Sequence, residues 1–354
     1  MKDRPTVEDV ARTAGVAVGT VSRVINGNAS VTPAIREKVQ RAIEDIGYVP
    51  NAAAQSMRRR ATRTVGVVVH DIMIPALAAF VKTVQRTCQD AGYMLLLANT
   101  GGEIENELRI LKSFARRQAD GLIVTTGTES NAKLEGVLAA LGIPTVLFER
   151  DRPERFDRVI ADHAGGIRAA ARHLLQLGHR RIALITGSPE ITPGRVRIEG
   201  LREAYAEAGV PADEAVIRIG DFSSTHGFEQ ASFLLASSQP PSAIIAGGLE
   251  ILPGVVRAIK RKGIAIPDEL SLVGTSDTPL SELYDPSIAV IRWDFAEVGR
   301  VAAELLLSRI QGRATNGPRR VLIPTEFVAR ASCAPPSERP RSSRAAHHGM
   351  ASGA

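Results

Sequence analysis

TVEDVARTAGVAVGTVSRVING, from Thr6 to Gly27, holds two short apolar periodicities separated by a glycine. Thr6 followed three residues later by Asp9 is a capping-box pattern. Val7, Val10, Ala11 and Ala14 then give a helix one apolar face, and Gly15 predicts its end. A second helix is predicted over Val18 to Ile25. Val21, Val24 and Ile25 face inward there, which leaves Val18, Gly19, Ser22 and Arg23 outside, and Asn26-Gly27 ends it as a turn. A third helix starts from Thr32 as N-cap with Pro33 in its first position. It closes at Gly47 with Ile35, Val39, Ala42, Ile43 and Ile46 on one face. Three short helices, the first two joined by a tight glycine turn, form the helix-turn-helix pattern, whose second helix fits the major groove of DNA. Arg23, near the middle of that helix, is placed to make paired hydrogen bonds to guanine O6 and N7. A small helical bundle with a solvated arginine would share this local pattern, so the rest of the chain must decide.

Charge is the first discriminator. The chain of 354 residues carries a formal net charge of +6. Residues 1–63 hold 11 Lys/Arg against 6 Asp/Glu, residues 64–334 hold 30 against 31, and the last twenty residues hold three Arg and one Glu. A basic block at one end of a neutral body points to nucleic-acid contact by a small N-terminal module. Hydrophobic residues make up 44% and aromatic residues only 4%, which suits α/β layers with closely packed helices. Cys88 and Cys333 lie far apart, with no His or Cys at ligand spacing, so neither a disulfide framework nor a metal site is expected. No apolar run approaches the roughly 18 residues of a membrane span, and the first twenty residues lack an apolar signal core. A cytoplasmic protein without membrane contact is expected.

After Tyr48-Val49-Pro50 comes NAAAQSMRRR, in which Asn51 caps a short helix running through Ala52, Ala53, Ala54, Gln55, Ser56 and Met57. Such a helix has little to bury and is marginal alone. Bound to DNA and paired with its copy from a second subunit, it gains order. Met57 then serves as a wedge between base steps of the minor groove, while Arg58, Arg59, Arg60 and Arg63 meet phosphates.

TVEDVARTAGVAVGTVSRVING followed by VTPAIREKVQRAIEDIGYVPNAAAQSM resembles the head and hinge of the lactose-repressor (LacI/GalR) family of bacterial transcription regulators. The likeness runs to about residue 333. It implies that Val18 and Gly19 occupy the main base-reading positions and that Thr20, Ser22 and Arg23 add base and phosphate contacts. Met57 stands where the family usually has a minor-groove leucine. Thr6, Asn26, Asn51, Ala54 and Arg58 complete the DNA-facing set. Val18 and Gly19 are poor hydrogen-bonders, so van der Waals contact and close approach are expected of them. Ala17 lacks the cap oxygen that many relatives have.

The remaining chain alternates apolar strands and amphipathic helices. Strand segments recur at TVGVVVHD, YMLLLAN, DGLIVTT and PTVLFE, and again at RIALITG, AVIRIG, SAIIAGG and LSLVG. This alternation predicts two doubly wound parallel sheets, an α/β core behind an all-α head. No GxGxxG follows the first strand and no GxxxxGK[ST] occurs, so no nucleotide cofactor is expected. The resemblance implies a periplasmic-binding-protein-like core crossed three times by the chain, with a small effector in the cleft. IAVIRWD and the helix FAEVGRVAAELLLSRIQG would return to the first unit, and VLIPTEFVAR to the second. The divisions expected are a DNA-binding head over 1–50, a hinge over 51–63 and a core over 64–333. Within the core, one subdomain takes about 64–161 and 292–318, and the other about 162–291 and 319–333.

Ligands in such folds bind beyond the carboxyl ends of the strands. That rule selects His70 and Asp71 after the first strand, Glu149 and Arg150 after the fourth, and Phe222, Ser276, Asp277 and Trp293 later, with Arg197 on the first helix of the second unit. By family position Arg197 matches the arginine that grips effector oxygens with its rigid fork. Trp293, the sole tryptophan, can stack on a ring or apolar ligand face. For Asp277 a structural task outweighs ligand contact. The chain departs from the family at Ile74, where an Asn is typical, at Gly248 and Leu249 in place of an Asn-Asp pair, and at Ser276 in place of an aspartate. Those losses weaken the case for an ordinary neutral sugar; a sugar or sugar acid leads, with another small metabolite close behind.

The end of the chain, APPSERPRSSRAAHHGMASGA, cannot form a coiled-coil seam, so residues 334–354 are expected to be disordered and the assembly to be a homodimer reading a pseudo-palindromic operator. The histidine pair at 347–348 reads as part of a solvated end rather than a metal site. A solute-binding receptor would share the α/β body but has no use for the head. An enzyme would call for a nucleophile elbow, a metal cluster or a nucleotide loop, and no such motif is present. A transcription regulator with no catalytic residues is the reading that remains.

Overall fold

The computed structural model describes residues 5–28, 30–49, 61–314 and 316–337. It separates into two compact units, residues 1–63 and 64–354.

In the first unit, α1 (Val7–Ala14), α2 (Val18–Ile25) and α3 (Pro33–Ile46) follow the predicted boundaries. Thr6 and Asp9 form a reciprocal capping box, and Gly15 ends α1 in the left-handed region at φ 59°. A side chain is rarely tolerated in that conformation, so the glycine permits the sharp turn into α2. Thr32 sits at the N-cap of α3 with Pro33 first in the helix, as expected, though its side chain makes no cap hydrogen bond. The helices close over Val10, Ala14, Val21, Val24, Val39 and Ala42. Each large aliphatic among them contributes about 1.5–3 kcal/mol by leaving water, which is the main force holding so small a module together.

The second unit contains two six-stranded sheets. In chain order the first half runs β1 (Thr64–Val69), α4 (Pro75–Asp90), β2 (Met94–Asn99), α5 (Ile104–Arg116), β3 (Gly121–Val124), α6 (Ala132–Ala140), β4 (Thr145–Phe148) and β5 (Asp157–Ala161). The second half runs α7 (His163–Gln176), β6 (Ile182–Gly187), α8 (Thr192–Glu207), β7 (Val216–Gly220), α9 (Ser224–Ala236), β8 (Ala243–Gly247), α10 (Ile251–Lys262), β9 (Ser271–Thr275), α11 (Pro279–Leu283) and β10 (Ala289–Arg292). Then come α12 (Phe295–Ile310), β11 (Arg320–Ile323) and β12 (Glu326–Val328). The first sheet has the order β11-β5-β4-β3-β1-β2 and the second β12-β10-β9-β8-β6-β7. Every pairing is parallel except that of β10 with β12.

Two expectations about the crossings are corrected. The strand within IAVIRWD does not return to the first unit, because Val290 and Ile291 pair with Gly274 and Thr275 of β9. The segment starting VLI does not go to the second. Arg320 to Ile323 pair with Arg158 to Ala161 of β5, clamped where the Arg319 N–H and the Arg309 guanidinium both donate to the Asp157 carboxylate. Only α12 and β12 go where they were expected, α12 packing on α4 and the first sheet and β12 joining the second. The chain therefore crosses between the halves after β5, after β10 and after β11.

The two halves repeat one device. At the end of β4, Glu149 takes a positive φ of 55° and donates its N–H to Val159 of β5; at the end of β9, Ser276 takes φ 68° and donates to Ile291 of β10. Left-handed backbone at a non-glycine residue is sparsely populated and is held here by the strand alongside.

Candidate nucleic-acid interface and ligand cleft

On α2, Val21 and Val24 are buried, while Val18, Gly19 and Arg23 are exposed on the opposite face. Val18 is 43% exposed, which for a β-branched apolar side chain on a recognition helix marks a contact surface rather than core. A Cβ at Gly19 would meet nothing closer than an Arg23 guanidinium nitrogen at 4.0 Å, so the backbone there is open to close approach. Thr20 and Ser22 are half-buried at the edge of this face. Asn26 caps the helix by donating from Nδ2 to the Ser22 carbonyl at 2.7 Å. Thr6 is committed to its capping box, which with Arg12 holds the Asp9 carboxyl below the usual carboxylate range. As the sequence indicated, Ala17 supplies no cap to α2. The amides of its first turn thus have no side-chain acceptor at the cap, the arrangement in which a helix start can accept a phosphate. Asn51, Ala54, Met57 and Arg58 lie outside the described residues.

In the α/β unit, His70, Glu149, Arg197, Phe222 and Trp293 line one cavity of about 330 Å³ between the two sheets. At its base is a chain of buried polar groups. Arg197 donates from Nη1 to the Gly247 carbonyl at 2.9 Å and from Nη2 to His163 Nδ1 at 3.2 Å. A guanidinium can only donate, so Nδ1 is the acceptor and the proton of neutral His163 sits on Nε2, which donates to Glu149 Oε2 at 2.5 Å. Glu149 Oε1 accepts from the Ala161 N–H. Burial alone would raise the Glu149 carboxyl, but His163, the Ala161 N–H and Arg197 outweigh it and hold the group below its ordinary value. Burial lowers Arg197 to about 10, with Glu149 opposing, so the guanidinium stays charged. Burial likewise lowers His163 and keeps it neutral.

The aromatic walls are built as deliberately. Phe222 lies over Gly187 and Gly248, where an added Cβ would stand 2.1 and 2.8 Å from its ring, and it lies 5.4 Å from the Arg197 guanidinium carbon. Gly248 is thus the space that the ring requires, which explains why no amide side chain stands there. Trp293 meets the His163 ring edge-on at 4.9 Å and the tilted Phe295 ring at 5.0 Å.

Three residues named from sequence do not line the cavity. Asp71 accepts the Met73 N–H in a local turn. Ser276 is buried in the backbone link to β10. Asp277 is held by both nitrogen–oxygen contacts of Arg330, at 2.8 and 2.9 Å, with Ser281 and Arg292 beside it. Among the cavity residues not anticipated are His163 and Phe295. His163 follows β5, whose short sequence DRVIA escaped recognition as a strand, so a ligand-facing strand end went unnoticed.

One edge of the cleft is bridged. Glu129, after β3, accepts at Oε1 from the N–H and hydroxyl of Thr192 at 2.7 and 2.6 Å, and at Oε2 from Arg195 at 3.3 Å; the Thr192 hydroxyl also accepts from the Asp151 N–H. These contacts fasten the start of α8 in the second half to loops of the first.

Comparison with known proteins agrees with this architecture. The family model "Bacterial regulatory proteins, lacI family" matches residues 6–51, and "Periplasmic binding protein-like domain" matches residues 171–333. The HTH-type transcriptional regulator DegA of Bacillus subtilis (strain 168) is 33% identical over 339 residues, covering 94% of this chain and 99% of DegA. Among solved structures, the lac repressor dimer bound to operator and the anti-inducer ONPF gives a TM-score of 0.84 at 27% identity, covering 94% of this chain and all of that one. The transcriptional regulator CelR–cellobiose complex gives 0.71 at 33% identity, covering 93% and 100%. The chain belongs to the lacI family of bacterial regulatory proteins. It is a helix-turn-helix DNA-binding transcription regulator and not an enzyme. No helix among the described residues is long and apolar enough to cross a membrane.

Proposed function

We propose that this chain represses transcription by binding a pseudo-palindromic operator as a homodimer, under the control of a small molecule in the cleft between its two sheets. The observation that carries the reading is the coexistence of an exposed reading face on α2 with a deep cavity floored by buried, charged Arg197. Val18 and Gly19 approach base edges closely, Arg23 reads guanine, Thr20 and Ser22 add phosphate contacts, and Thr6 and Asn26 sit beside them at the helix ends. Asn51, Ala54, Met57 and Arg58 extend the contact toward the minor groove. The dimer and the operator are supported by the lac repressor complex, and a sugar or related metabolite as effector is supported by the cellobiose complex of CelR.

Arg197 grips an oxygen of the effector, Trp293 and Phe222 cover its faces, and His70 and Glu149 complete the site. Effector binding and operator binding are linked reciprocally: a ligand that prefers one arrangement of the cleft shifts operator affinity by the same factor as operator shifts ligand affinity. Such a regulator works beside the chromosome, in the cytoplasm. A receptor reading of the α/β body alone leaves the head without purpose. The test is Arg197→Ala. This variant keeps operator affinity and loses the response to the small molecule that moves wild type; a variant that still responds removes Arg197 from the site.

A further inference from the structure

The helix that carries Arg197 to the cavity does not cap itself. Ile191, the residue before the first turn of α8, has no side-chain acceptor, and Pro193 stands within that turn. The capping oxygen comes from the opposite half. Glu129, in the loop after β3, accepts through Oε1 from the Thr192 N–H at 2.7 Å and from the Thr192 hydroxyl at 2.6 Å, and through Oε2 from Arg195 Nη2 at 3.3 Å. Asp151, after β4, makes a second tie, its N–H donating to the Thr192 hydroxyl at 3.0 Å. Little water reaches these contacts: the Glu129 side chain is 2% exposed and Thr192 is buried.

A carboxylate at a helix N-terminus satisfies an orphan N–H and meets the positive end of the helix dipole. Here that benefit lasts only while the two halves keep this arrangement. Parting Glu129 from Thr192 leaves α8 uncapped and takes the carboxylate from all three of its donors. Arg150, which with Ile191 and Pro193 helps line the cavity, depends on the same carboxylate: burial pushes it below its ordinary value, and Glu129 leads the charges that oppose this. Glu129 itself does not line the cavity. A helix cap shifts an equilibrium about tenfold, which lies within the range over which one ligand changes affinity for another, so ligand binding can override it.

We propose that Glu129 is a positioning residue that latches the cleft: by capping α8 from the opposite half it biases the arrangement of the two halves, and through it the affinity for operator. It acts through Thr192 and Arg195 rather than through contact with effector. The proposal rests on the reading of this cleft as the control site and places part of that control outside the cavity wall.

The test compares the full-length wild type with Glu129→Ala, Glu129→Gln and the nearly isosteric Thr192→Val. Amide hydrogen exchange follows the Thr192 and Asp151 N–H groups, and binding to a duplex recovered by selection from a random pool gives operator affinity. In Glu129→Ala both amides are expected to exchange about tenfold faster, with Glu129→Gln between it and wild type because it keeps an acceptor oxygen. Glu129→Ala and Thr192→Val are expected to shift operator affinity in the same direction, by at least about threefold. Reciprocity then fixes a sign: if the variants bind operator more weakly, operator must protect the two amides in wild type, and if they bind it more tightly, operator must expose them. Agreement of the two signs supports the latch. Unchanged exchange at Asp151, disagreement of the signs, or a lower urea midpoint with operator affinity unchanged overturns it, the last result leaving Glu129 a purely structural role. The cleft reading is judged apart from this by Arg197→Ala: a small-molecule response kept in the Glu129 variants and lost in Arg197→Ala leaves that reading standing even where the latch falls.

Discussion

Arg197 and Glu149 approach His163 from opposite sides, Arg197 donating to Nδ1 at 3.2 Å while Nε2 donates to Glu149 at 2.5 Å. One neutral imidazole thereby joins a buried cation of the second half to a buried carboxylate at a strand end of the first. Replacing His163 by Ala strips a partner from each charge in a site with little access to water. The variant is expected to unfold at lower urea concentration, with a loss of about 2 kcal/mol, the cost of leaving buried polar groups unsatisfied. Unfolding followed by Trp293 emission measures it, and a stability equal to wild type would contradict the relay.

Arg23 stands on the exposed face of α2 with buried Val21 and Val24 behind it. Arg23→Ala should weaken operator binding by about 1–3 kcal/mol, the worth of one bidentate base contact, and relax the preference at a single base pair. Binding assays on operator and on random duplex of equal length separate the roles. An equal loss on both would reduce Arg23 to a phosphate contact.

At Gly248 the constraint is steric. An added Cβ would lie 2.8 Å from the Phe222 ring and 2.9 Å from Ile251. Gly248→Ala is expected to displace the ring, cost about 1–3 kcal/mol through overpacking and weaken ligand binding in the cleft. Thermal melting and a Trp293 titration follow the two effects. Unchanged ligand affinity would show that Phe222 does not shape the site.

Acid sensitivity should concentrate at Asp157, whose side chain is buried and doubly bound by Arg309 and by the Arg319 N–H. Burial pushes this carboxyl up, but those donors outweigh it and hold it below its ordinary value. A depressed carboxylate contributes stability that is fully present above its unfolded value of about 3.9 and is lost as pH falls through the folded value. Stability should therefore decline below about pH 4. Asp157→Asn should be about 3 kcal/mol less stable at neutral pH, since it breaks a buried pair, and should show a flatter decline in acid. Unfolding curves from pH 3 to 7 test both statements, and identical slopes would show that Asp157 is not the group responsible.

The head was legible because its signals are local. The Thr6–Asp9 box, the turn at Gly15 and the spacing of Val21 and Val24 each act within one or two turns of helix. The alternation of strands and helices was legible for the same reason. Which sheet a strand joins was not. The AVIR of β10 and the RVLI of β11 are short apolar runs of the same type, and only their partners, Gly274 and Thr275 for one and Arg158 to Ala161 for the other, decide the matter. His163 was missed because its place depends on β5, recognisable only once β4 and β11 flank it. Asp277 and Ser276 sit at strand ends as ligand residues do, but Arg330, 53 residues away, and the backbone of β10 occupy them.

The most direct test of the central claim is selection of bound duplexes from a random pool by the purified full-length chain, repeated with sugars, sugar acids and other small metabolites present. The account predicts recovery of one palindromic sequence, with its recovery changed by at least one small molecule and that change abolished in Arg197→Ala. Recovery of no common sequence, or of one that no Arg23 substitution alters, would contradict it.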